Sequence, residues 1–183
     1  EYGNLGGLQC WEHYIPANVA TMNAKNEQIH VSAWPIGMPD PGASFAVEQC
    51  ATGAQYYALA TGTWTLCTSQ LWTPEIEAVC CKNDAQKAVM AYGHGFTRIV
   101  SPTGCVVAQM AHDKEGVLYA DVDMNLIPVA KYFIDPAGHY STPGNMQLYV
   151  DASPQKPVSI LDEEPPHGLT YAEIHRDEAA EAE

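Results

Sequence analysis

Basic residues are scarce in this chain. Eight lysines and arginines stand against 22 aspartates and glutamates, a net charge of −14 over 183 residues. A surface of that sign repels phosphate backbones, and no Lys/Arg cluster offsets it, so nucleic acid is not an expected partner. Long hydrophobic runs are missing too. No stretch approaches the roughly 18 apolar residues of a membrane-spanning helix, which removes the membrane from the expected partners. The chain opens on Glu1 with no signal-like stretch after it, a start that fits processing or truncation alike. The histidines show no HxxxH spacing, and no glycine-rich loop has a phosphate- or dinucleotide-binding pattern. No metal and no cofactor are expected. The six cysteines, Cys10, Cys50, Cys67, Cys80, Cys81 and Cys105, contain no CxxC and no disulfide framework. On compartment logic they are expected to be reduced and the protein cytoplasmic.

Hydrophobic residues make up 46% and charged residues only 16%, enough apolar surface to bury a single core and too little charge for a disordered polyelectrolyte. Gly6-Gly7-Leu8-Gln9 reads as a strand end leading into Cys10. Residues 11–26 have helical spacing, with Ile15, Val19 and Met22 about a turn apart. Pro16 suits a first helical position, so the helix is expected to begin at Ile15 or Pro16. Residues 29–34 alternate with period two, as a strand does. Pro35, Gly37, Pro39, Asp40, Pro41 and Gly42 make a loop. A second helix is expected over 45–60, a strand over 63–69, and a short helix capped by Thr73 through Cys81. Beyond Gly95, Ser101-Pro102-Thr103-Gly104 is a turn between strands at 97–100 and 105–108, and 117–122 reads as another strand. The order β–α–β–α–β followed by antiparallel strands predicts an α/β fold, helices layered on sheet. Residues 162–183 hold eight acids and one arginine. They are expected to form an acidic, solvated tail behind a domain spanning 1–161.

Cys10 is the leading candidate for chemistry. A cysteine between a glycine-flanked strand and a helix start lies near unpaired backbone N–H groups, which favour the reactive thiolate. The competing reading is a buried structural cysteine. His13, three residues on, is within reach of Cys10 along a helix, though that spacing identifies no third, orienting group. Glu12 serves either as an acid or base or, the reading favoured here, as a structural brace of the turn.

Gly6-Gly7-Leu8-Gln9-Cys10-Trp11-Glu12-His13, followed by Ile15-Pro16, resembles the active-site cysteine signature of the nitrilases. The likeness continues in register through Asn26-Glu27-Gln28-Ile29-His30-Val31-Ser32-Ala33-Trp34-Pro35 and Tyr57-Ala58-Leu59-Ala60-Thr61-Gly62-Thr63-Trp64-Thr65. It goes on through Gly116-Val117-Leu118-Tyr119-Ala120-Asp121 and the block 131–141, which includes Asp135-Pro136-Ala137-Gly138-His139-Tyr140. It covers about 5–150.

The resemblance implies a nitrilase-like α-β-β-α sandwich, of which this chain carries the C-terminal part, in homo-oligomers that are dimers or larger spirals. It implies hydrolysis of a small-molecule nitrile to a carboxylic acid and ammonia without metal or organic cofactor, through a thioimidate and a thioester on Cys10. By resemblance Trp11 offers its backbone N–H as oxyanion donor and, with Trp34 and Pro35, lines the pocket. Core packing is an equal reading for Trp34. Glu12, His13 and His139 are supporting residues, His139 bracing the site or a subunit contact. The helix after Cys10 and the helix at 45–60 are the implied subunit contact, where Ala20, Ala24, Ala51 and Ala54 permit close approach. The general-base glutamate, the lysine and a second glutamate of the family lie before its cysteine, and no residue of this chain matches them. Residues 1–183 alone are therefore expected to be inactive. A cyanide hydratase or amidase of the same superfamily, and a non-catalytic assembly subunit, remain open as alternatives.

Overall fold

The computed structural model describes residues 2–35, 46–90, 94–151, 153, 158–160 and 167–169. Strand β1 (Leu5–Gln9) runs into a 3-10 helix at Cys10–Tyr14, and helix α1 (Pro16–Ala24) follows with Pro16 in its first turn. The helix expected to begin at Ile15 or Pro16 begins at Pro16, and the residues just before it form the separate 3-10 turn. Ile15 is extended because the residue before a proline is pushed out of the helical region. Asn26 then takes a left-handed φ of 55°, a conformation asparagine tolerates, and the chain turns into β2 (Ile29–Trp34). Helix α2 (Val47–Thr61) ends at Gly62, whose φ of 64° suits the left-handed cap, and β3 (Trp64–Ser69) follows. Phe45, where the second helix was expected to begin, and all of the expected loop after Pro35 lie outside the described residues.

Helix α3 (Pro74–Cys80) has Thr73 as its cap, the Oγ1 accepting the Ile76 N–H at 3.3 Å. Strands β4 (Arg98–Val100) and β5 (Val106–Gln109) flank the turn at 101–104. The order in the sheet is β1-β2-β3-β4-β5, the first three parallel and the last two pairings antiparallel. The α/β layering read from the element order is present. Two helices were not anticipated, α4 (Asp84–Val89) and α5 (Leu126–Phe133). In α5, Pro128 sits in the first turn, where no N–H is required.

The strand expected at 117–122 is a correction. That segment joins no ladder, although its period-two alternation is real: Leu118, Ala120 and Val122 pack against the cluster of Trp64, Ile99 and Ile127. It packs on the sheet through side chains and contributes no backbone pairing to it. The sheet's other face meets the helices, in a core of Trp34, Cys50, Ala51, Ala54, Cys67 and Phe96. Ala51 and Ala54 therefore pack inward in the core, while Ala20 and Ala24 are exposed.

The chain divides into units 1–148 and 149–183. In the second, β6 (Val158–Ile160) pairs antiparallel with β7 (His167–Leu169), so three residues of the acidic tail lie in a ladder. Among the described residues no helix is long and apolar enough to cross a membrane.

Candidate active site

Parallel pairing sets Gln9, Ala33 and Thr68 side by side. The C-terminal ends of β1, β2 and β3 thus carry Cys10, Pro35 and Ser69 to one edge of the sheet. In open α/β sheets that edge is where ligands bind. Cys10 has φ 48°, a left-handed conformation that is rare and strained for a residue with a Cβ. Its side chain is half-buried against the core. Glu12 turns back, its Oε2 accepting the Gln9 N–H at 2.7 Å, as in a capping box. Trp11 is 49% exposed, and Pro35 is exposed.

His13 is buried, and its bond to Cys10 is made to the backbone: Nδ1–H donates to the Cys10 carbonyl at 2.7 Å. Behind it stand four polar residues that the sequence reading did not assign to the site. His13 Nε2 lies 3.0 Å from His30 Nε2 and 2.9 Å from Ser32 Oγ. His30 Nδ1 meets Glu27 Oε1 at 2.8 Å, and the Tyr57 hydroxyl donates to Glu27 Oε2. All five side chains are buried. Trp34 closes the set from above, stacked on His13 at 4.8 Å and donating its Nε1–H to Ser32 Oγ at 2.7 Å. With 5% exposure it is a core residue. A signal was present in the sequence: His30, Ser32 and Trp34 share one strand face by period two, and Glu27 lies three residues before His30.

His139 is elsewhere. It is exposed in the turn at 135–141, its ring against Tyr140 at 5.1 Å. Pro136 of that turn borders a groove on the α1–α2 face with Tyr14, Val19, Ala20, Tyr56 and Ala60. A second groove on the helical face runs along α2 past Tyr14, Gly53 and Tyr56. Cys10 lines neither. Among the described residues no three His, Cys, Asp or Glu side chains converge as metal ligands would.

Burial holds the His13 imidazole down to about 4 from 6.5, the hydrogen bond to Cys10 opposing and His30 reinforcing the shift. Burial, with Glu27 beside it, pushes the Tyr57 hydroxyl far above its ordinary range, so it stays a donor. The His13 shift has a consequence for stability. Between about 4 and 6.5 the unfolded histidine binds more protons than the folded one, so stability rises with pH across that window and is lost on acidification. From this group alone the protein should be about 2 kcal/mol less stable at pH 5 than at pH 7. Urea unfolding midpoints at the two pH values measure it. Equal midpoints in the native protein, with the expected drop absent, would contradict a neutral buried His13.

The carbon-nitrogen hydrolase family model matches residues 1–132. A nitrilase of Bacillus sp. (strain OxB-1) is 47% identical over 175 residues, 95% of this chain and 52% of the relative. A cyanide hydratase of Pyrenophora teres f. teres (strain 0-1) is 32% identical over 176 residues, 92% of this chain and 47% of its own length. A carbon-nitrogen hydrolase crystal structure from Helicobacter pylori G27 shares the fold with a TM-score of 0.57 at 22% identity, over 74% of this chain and 45% of that one. The chain spans about half the length of these relatives.

Proposed function

The chain belongs to the carbon-nitrogen hydrolase family, and from that premise we propose that its protein is a nitrilase with Cys10 as nucleophile. One observation carries the assignment: Cys10 is held in a left-handed conformation at the carboxyl end of β1, its carbonyl bonded inward to His13. A strained residue kept in place by buried hydrogen bonds is the mark of a site selected for geometry.

In this reading the Cys10 thiolate attacks the nitrile carbon, and the electron pair moves to nitrogen, giving a thioimidate once that nitrogen is protonated. Water adds to the C=N carbon, ammonia leaves, and a thioester remains. A second water releases the carboxylic acid and regenerates the thiol. The Trp11 N–H donates to the charge that develops in the tetrahedral intermediates. Trp34 serves through its packing on His13, and Pro35 borders the substrate's side of the sheet edge. Glu12 holds the turn. The protein is a homo-oligomer in this reading, with the outer faces of α1 and α2 and the His139 turn at its contact. The base and the lysine are assigned to no residue of this chain.

A cyanide hydratase is the second reading, favoured by the 32% identical relative. Product analysis on the full-length gene product separates the two. A nitrilase releases acid and ammonia in equal amounts, whereas a hydratase releases an amide and no ammonia. Residues 1–183 expressed alone should give at least ~10⁴-fold less product. General acid–base help is worth ~10²–10⁴-fold and an oxyanion donor ~10²–10³-fold, and in this reading the isolated chain lacks both the base and the lysine. Turnover by the isolated chain that disappears on Cys10→Ala would reveal a complete site within it.

A further inference from the structure

We propose that Tyr57, Glu27, His30 and His13 form a buried positioning chain that orients the Cys10–Trp11 peptide and so aims the Trp11 N–H at the developing oxyanion. This rests on the nitrilase reading for what Trp11 does.

A carbonyl only accepts, so the 2.7 Å contact to the Cys10 oxygen places a proton on His13 Nδ1. The His13 imidazole is neutral at working pH, so its Nε2 is a bare acceptor. Two bare ring nitrogens 3.0 Å apart would repel, so His30 Nε2 carries the proton between them. His30 Nδ1 and Glu27 Oε1, 2.8 Å apart, need a proton as well. The Glu27–His30 pair therefore holds one proton more than a carboxylate beside a neutral imidazole. Tyr57 donates to the remaining Glu27 oxygen, and its ring stacks on His30 at 3.7 Å. Two links are directed toward Cys10: His30 Nε2–H donates to His13, and His13 Nδ1–H donates to the Cys10 carbonyl.

Direction is what makes the chain useful. A free neutral imidazole exchanges its proton between two nitrogens, and which one holds it is set by its partners. Were the proton on Nε2, the Nδ1 lone pair would face the Cys10 carbonyl and repel it. Donation from His30 prevents that, and Glu27 and Tyr57 hold His30 in the donating state. The peptide between Cys10 and Trp11 is planar and trans, so its C=O and N–H point opposite ways. A carbonyl drawn inward by His13 turns the Trp11 N–H away from the buried network. The same bond holds Cys10 at its φ of 48°. No other role is needed for so many buried polar groups in a helix–sheet core, where an unsatisfied one is costly.

The test uses the full-length gene product. His13→Ala should lower kcat about 10²–10³-fold, the worth of an oxyanion donor, with KM changed by less than about threefold. His13→Asn puts an amide nitrogen where Nδ1 was and should recover kcat to within about tenfold of wild type. His13→Gln puts its amide nitrogen at the Nε2 position and should stay as low as alanine. A role in folding alone would not separate Asn from Gln. Tyr57→Phe keeps the stacked ring, removes one donor, and should lower kcat roughly tenfold without raising KM, about the effect of one neutral hydrogen bond. It carries the test if His13→Ala fails to fold. Independently of turnover, ¹⁵N spectra of histidine-labelled protein at pH 7 should show His13 protonated on Nδ1 alone. Equal kcat in the Asn and Gln variants, or a His13 proton on Nε2, overturns the proposal. A wild-type protein that converts no nitrile overturns the nitrilase reading instead, and the His13 spectrum still decides the chain.

Discussion

Replacing Cys10 by alanine should lower nitrile hydrolysis by the full-length gene product on the order of 10⁶-fold, the loss seen when an activated nucleophile is removed. No other thiol can stand in. Burial, with the Cys10 thiol next to it, pushes Cys50 up to about 11, and burial pushes Cys67 up to about 12. Both are core residues, so neither offers a thiolate at neutral pH. Cys80 and Cys105 are exposed and Cys81 is half-buried, Cys80 ending α3, Cys81 following it and Cys105 preceding β5, so none of the three lies at the carboxyl end of β1. The fold should survive, because the lost atom is a single sulfur from a half-buried side chain, and alanine keeps the same backbone demand at φ 48°. A melting temperature within a few degrees of wild type, with no acid released, is the expected pair of results. The variant should also form no covalent adduct with a nitrile, by intact-mass measurement. Retained turnover would end the assignment of Cys10.

Gly6→Ala should destabilise the protein by about 3 kcal/mol or more. A Cβ at Gly6 would fall 2.0 Å from Glu27 Oε1 and 2.5 Å from Met22 Cε. Met22 can swing aside. Glu27 cannot, because its two oxygens are tied to His30 and Tyr57. Either the carboxylate gives up its partners in the core or β1 lifts from β2, and both leave buried polar groups unpaired. Gly7 is the control. Its added Cβ would face the other side of the sheet and come to 3.1 Å from the Val31 carbonyl oxygen, a tight contact that disturbs no buried charge. Denaturant midpoints for the two variants should therefore differ widely, Gly6→Ala far lower. Similar midpoints would show that Glu27 is not held as described. Activity should fall with stability in Gly6→Ala, since β1 delivers Cys10 to the sheet edge.

Local signals carried far along this sequence. Pro16 marked the start of α1, Thr73 the start of α3, and the turn at 101–104 the β4–β5 hairpin, because each is settled by the chemistry of a few adjacent residues. Alternation placed β2 correctly, but its sense ran against hydropathy. His30, Ser32 and Trp34 face the helices, and Val31, on the apolar-looking face, is 38% exposed. Alternation says which residues share a side, while burial depends on what packs there. The segment at 117–122 failed for the same reason, since a strand needs a partner that its own residues cannot specify.

Legible from the residues alone were the run of elements from β1 to α3, the β4–β5 hairpin, the net negative charge and the motif around Cys10. So was the family resemblance, which rests on residue identity in register. The positioning chain was decided only by the tertiary structure. Glu27, His30 and Tyr57 are spread over a turn, a strand and a helix, and each read singly is an ordinary polar residue. Only packing α2 on β2 excludes water from them together, and only that exclusion turns four side chains into a continuous hydrogen-bonded path. His13 shows the division most clearly. Its spacing from Cys10 suggested a partner for the thiol, whereas the folded chain sets its Nδ1 on the carbonyl, because the 3-10 turn and the His30 contact point the ring inward.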